Sequence, residues 1–163
     1  MKVYRYLSEE ELNLIKQGSV ESLGNTFDKK SYKRQNNHRY KSGVRYIHFY
    51  KNIESMEHIR REHMKEMKKG IRFYFCSFNV PNVILALHRG KGHYDGNGYD
   101  TVGAITSVEY ALPVTKFDPA WLDKSVLDDD KVHLLKTRNY DDIAKAIKDG
   151  TYRSPKWGEG LEL

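Results

Sequence analysis

At 163 residues, with 39% hydrophobic and 12% aromatic side chains, the chain is long enough to bury a core as one domain and too apolar for disorder. Its 28 basic residues against 22 acidic ones leave a formal charge of +6, which suits a solvated basic surface or a polyanionic partner. A single cysteine excludes an internal disulfide framework, no apolar run reaches membrane-spanning length, and the start carries no apolar signal core, so a cytoplasmic protein without a membrane partner is expected.

Lys2 to Leu7 reads as a short strand. Ser8 then offers a helix cap, with Glu9, Glu10 and Glu11 in the first turn and Glu11 at capping-box spacing. Leu12, Leu14 and Ile15 supply the apolar stripe, and Gly18 stops the helix. Residues 29–45 change character: Lys29, Lys30, Lys33, Arg34, Arg39, Lys41 and Arg45 stand there with no acid among them, and Tyr32, His38 and Tyr40 are interleaved. With no apolar period, this stretch reads as an exposed basic loop.

Val44 to Tyr50 gives the next strand. Asn52 can cap a helix over 53–69, with Ile53, Met56, Ile59, Met64 and Met67 on one face and Gly70 as the stop. Ile71 to Val80 is a strand ended by Pro81, and Cys76 inside it reads as a small buried hydrophobe. Val83 to Leu87 is apolar but too short to assign. Arg89 to Gly103 holds five of the twelve glycines and reads as a turn-rich loop. Ala104 to Val114 is a strand. A loose stretch runs from Pro119 through Asp128, Asp129 and Asp130, read as a solvated acidic turn, and Asn139 or Asp141 caps a last helix over about 140–149. The expected fold class is α+β, a mixed, mostly antiparallel central sheet with flanking helices, divided into 1–122 and a helical extension, 123–163, packed on it.

Polar side chains inside three aromatic or β-branched runs are the candidates for chemistry. Arg5 lies between Tyr4 and Tyr6, where its fork either grips an anion or sits in a structural ion pair. His48 and Tyr50 share one strand face with Tyr46, as a ligand-holding pair or as a half-buried polar ladder. Glu109, between Val108 and Tyr110, is a carboxylate able to stabilise a cation or act as a base, or a surface strand residue. Metal sites find no support: His58 and His63 are five apart, and His88, His93 and Cys76 match no standard spacing. Gly90-Lys91-Gly92 lacks the length and the terminal Ser or Thr of a P-loop.

Over residues 2 to about 122, the order of these elements resembles the ADP-ribosyltransferase superfamily. Tyr4-Arg5 looks like its first strand, Ile47-His48-Phe49-Tyr50-Lys51-Asn52 like its second element, and Ser107-Val108-Glu109-Tyr110 like the strand with its catalytic Glu. His48-Phe49-Tyr50 stands where many members have Ser-Thr-Ser, and Ser107 stands two before the Glu, so target chemistry does not transfer. The resemblance implies an ADP-ribosyltransferase-like fold, NAD as the cosubstrate and no metal. It implies Glu109, His48 and Tyr50 as the catalytic residues, and Arg5, Tyr4, Tyr46 and Tyr50 as the residues that hold NAD. Lys33, Arg34, Arg39 and Lys41 would draw in an acidic protein or nucleic acid. A metal-independent ribonuclease using His48 or His93 with Glu109, and a non-catalytic nucleic-acid-binding module, are the competing expectations.

Overall fold

The computed structural model describes residues 1–26, 41, 43–53, 55–90, 109–129, 144–145, 147–151 and 161–163. The fold is α+β. Strands β1 (Lys2–Ser8), β2 (Asn25–Thr26), β3 (Arg45–Tyr50), β4 (Phe73–Asn79), β5 (Arg89–Gly90), β6 (Glu109–Pro113) and β7 (Leu122–Leu127) form one sheet. Its order is β5-β6-β3-β1-β4-β7, with β2 paired to β3, and every described pairing is antiparallel.

Helix α1 (Glu9–Gln17) forms where its signals place it. Ser8 Oγ accepts from Glu11 N, the Glu11 carboxylate accepts from Ser8 N, and Gly18 closes the helix at φ 76°. At Gly24 the backbone also has φ +77°, and a β-carbon there would collide with the Tyr46 carbonyl. Glycine is what lets β2 close on β3.

Strand alternation sorts the side chains onto two faces. On the first, Val3, Leu7, Ile47, Phe49, Cys76, Phe78, Tyr110 and Leu112 pack with Leu12 and Ile15 of α1 and with Leu85 of α4 (Asn82–Leu87). On the second, Tyr6, Phe73 and Phe75 pack with Met56 of α2 (Ser55–Glu62) and with Leu161. Phe49, Phe75 and Phe78 are completely buried, each contributing about 1.5–3 kcal/mol of transfer free energy.

Several elements differ from expectation. The helix expected over 53–69 is two pieces, α2 and α3 (Met64–Lys68), parted at His63, whose ring stacks on Phe73 at 4.9 Å. The unassigned run Val83 to Leu87 is α4, started after Pro81. Residues 122–127, expected to be loose, form edge strand β7 on β4, so a boundary after 122 cuts into the sheet, and Leu161 belongs to the second core. Asp128 is not a solvated turn residue. It is buried, and its Oδ2 accepts from both Tyr6 Oη and Arg60 Nε at 2.6 Å. This charge-assisted pair ties α2 to the end of β7. Half of the helix expected over about 140–149 lies outside the described residues. Residues 144, 145, 147 and 148 are helical, and Gly150 follows them at φ 69°. No described helix is long and apolar enough to cross a membrane.

Candidate active site

The register of β3 against its neighbours decides which side chains meet. Tyr50 stands opposite Glu109 on β6 and opposite Tyr4 on β1, and His48 stands opposite Ala111. His48 and Tyr50 are two apart, so both share the second face, as do Tyr4 and Glu109. His48 Nε2 approaches Glu109 Oε1 to 3.4 Å across the diagonal of the β3–β6 ladder. Their side chains are 12% and 19% exposed, so the contact is largely shielded from water. A base, a carboxylate and two phenols thus share one edge of the face covered further along by α2.

Tyr46 also alternates onto this face but is buried, and its Oη accepts from Lys41 N at 2.7 Å. It anchors the end of the basic segment to the strand that carries His48. Lys41 itself is exposed, whereas Lys33, Arg34 and Arg39 lie outside the described residues, as do His93, Ser107 and Val108.

Arg5 departs from the expected convergence. Its strand neighbours Val3 and Leu7 belong to the first core, and its register partner is Cys76, so alternation puts Arg5 on the face opposite Glu109. There its Nη2 lies 3.5 Å from Glu11 Oε2, and its Nη1 donates to the His48 carbonyl at 2.8 Å. Of the two readings open to Arg5, the ion pair is the one observed. Guanidinium, imidazole–phenol couple and carboxylate do not meet in one cleft: the last two meet, and the first lies behind them. Glu11 was visible in the sequence only as a capping residue. That spacing fixed its carboxylate near the end of β1, yet nothing local says that one oxygen caps Ser8 while the other faces Arg5.

Two further candidates, Cys76 and His88, are held within the fold. Burial pushes the Cys76 thiol up to about 12, only partly offset by the nearby Arg5 charge, so it is no nucleophile at neutral pH. His88 is held below its ordinary value, mainly by burial and secondarily by Lys116, and its carbonyl accepts from Ala111 N. Among the described residues, no group of three or more His, Cys, Asp or Glu is placed to hold a metal ion. Comparison with protein-family models, curated proteins and solved structures finds nothing that matches this chain.

Proposed function

We propose that the protein is an NAD-dependent ADP-ribosyltransferase working from the His48–Tyr50–Glu109 face, on an ADP-ribosyltransferase-like sheet. The observation that carries this reading is the pairing of Tyr50 directly opposite Glu109, with His48 Nε2 3.4 Å from the same carboxylate. These are the residues that the resemblance assigns to catalysis. Breaking the nicotinamide–ribose bond sends the bonding pair to nicotinamide and leaves oxocarbenium charge on the ribose. Glu109, accepting a hydrogen bond from the ribose 2′-hydroxyl, stabilises that charge more in the transition state than in bound NAD. His48 orients the ribose, and Tyr50 stacks on the nicotinamide, with Tyr4 continuing the aromatic floor. A nucleophile of the acceptor then bonds to the anomeric carbon and releases its proton.

The acceptor is macromolecular and anionic, a nucleic acid or an acidic protein. The cations of residues 29–45, including Lys33, Arg34, Arg39 and Lys41, attract it, and the Lys41–Tyr46 hydrogen bond ends that segment two residues from His48 along β3. Arg5 has no direct part in holding NAD.

The same histidine–carboxylate contact favours a second reading, a metal-independent ribonuclease in which Glu109 takes the 2′-hydroxyl proton. Ligand-dependent melting separates the two. NAD at a hundredfold excess over its dissociation constant stabilises a protein of this size by about 2.7 kcal/mol, or about 5–10 °C in Tm. That shift, without cleavage of RNA in the absence of metal, supports transfer. RNA cleavage with no NAD shift moves the assignment to the ribonuclease. Salt-dependent RNA binding with neither shift nor cleavage leaves a binding module.

A further inference from the structure

We infer that Arg5 is a positioning residue that sets His48 from behind the sheet. This role rests on the NAD site proposed above. The β1–β4 ladder is continuous from Lys2↔Asn79 to Ser8↔Phe73, whereas β1 meets β3 in the single register pair Tyr4↔Tyr50. Beyond that pair the strands part, and the opposite end of β3 pairs with β2 instead, at Tyr46 and Arg45. His48 sits in the gap. On the far side, β6 holds β3 by a regular ladder from Tyr46↔Pro113 to Tyr50↔Glu109. On the near side, the His48 carbonyl is met by Arg5 Nη1 at 2.8 Å. The guanidinium therefore stands in for missing strand pairing at the residue whose imidazole faces Glu109.

The guanidinium is itself held. Its Nη2 faces Glu11 Oε2 at 3.5 Å, and the other Glu11 oxygen accepts from Ser8 N at 3.3 Å and from Ser8 Oγ at 3.1 Å. Ser8 is the last residue of β1 and the cap of α1. A chain of contacts thus runs from the start of α1 through Glu11 and Arg5 to the His48 backbone. The Arg5 side chain is 16% exposed, so its hydrogen bond is shielded from competing water. A lysine could reach the carbonyl or the carboxylate, but it lacks the planar fork that spans both. Arg5 lies on the opposite face of the sheet from Glu109. Its effect passes through where it holds the His48 main chain.

The test uses the full chain, with Arg5→Met and, in case that variant fails to fold, Arg5→Lys. Nicotinamide release is followed against NAD concentration, and the His48 Cε1–Hε1 resonance is titrated by NMR without ligand. A displacement of His48 by about 1 Å predicts a loss of about 10²-fold in kcat with KM for NAD little changed. The His48 resonance and its titration midpoint should move in the same variants. A raised KM with kcat intact would overturn the inference in favour of direct NAD contact, and an unmoved His48 resonance would overturn it outright. If the wild-type chain releases no nicotinamide, the NAD reading fails, and the NMR titration alone decides the positioning role.

Discussion

Removing the Asp128 carboxylate should be among the most damaging single changes to the fold. Asp128 is fully buried at its side chain, where it accepts from Tyr6 Oη and Arg60 Nε, each at 2.6 Å. In Asp128→Ala the buried Arg60 guanidinium, 9% exposed, loses the carboxylate 2.6 Å from its Nε, and the Tyr6 hydroxyl loses its carboxylate acceptor while keeping its contact with Met67 Sδ. Breaking such a pair from one side costs about 3–5 kcal/mol. That is a large part of the roughly 5–15 kcal/mol that holds a domain together. With a urea m-value of about 2 kcal/mol per M, the unfolding midpoint should fall by about 1.5–2.5 M with m unchanged. Arg60→Met in the Asp128→Ala background removes the buried charge that Asp128 no longer balances and should recover part of the loss. Urea denaturation followed by fluorescence and circular dichroism measures both. A single-variant loss under about 1 kcal/mol, or a double variant as unstable as the two single changes summed, would refute the assignment of a buried, desolvated pair.

Gly24→Ala should destabilise by more than about 2 kcal/mol, because the left-handed backbone and the nearby Tyr46 carbonyl both oppose a β-carbon. Gly18→Ala, at nearly the same φ but in open space, should cost only about 1 kcal/mol, and equal losses in chemical denaturation would contradict the close approach. The Cys76 thiol should resist alkylation at pH 8 in the folded chain and react promptly in urea. Since its folded-state value of about 12 lies above the ordinary 9.0, the stability linked to it is complete below pH 9 and is lost as pH rises towards 12. A shallower alkaline loss in Cys76→Ala, measured by melting against pH, checks that sign.

What the sequence disclosed follows from how local each signal is. Helix α1 carries its cap, its stripe and its stop within eleven residues, and all are found in place. Strands β1, β3 and β4 declare themselves through aromatic and β-branched runs that the core then buries. Helix α4 was ambiguous because an apolar run of five residues fits a buried strand or a helix, and here only Leu85 is fully buried while Val83 and Leu87 are exposed. Strand β7 is an edge strand that reads Leu-Asp-Lys-Ser-Val-Leu, without the apolar alternation that marks a half-buried strand. Asp128 looked solvated beside Asp129 and Asp130, and its burial depends on Arg60, 68 positions away. The facing of His48 and Tyr50 followed from strand period alone. The facing of Arg5 was present in the same period, since Val3 and Leu7 flank it at two residues on either side and both are core types. Its partner Glu11 could be placed only once α1 was packed on the sheet.

The central claim is that the carboxylate of Glu109, set against His48 and opposite Tyr50, stabilises positive charge on a ribose. Nicotinamide release from NAD by wild-type and Glu109→Gln chains tests it most directly, with the unfolding curve of each as the control on folding. The substitution keeps size and hydrogen bonding while removing the charge, so turnover should fall to background with the unfolding midpoint essentially unchanged. Undiminished nicotinamide release by Glu109→Gln would contradict the account.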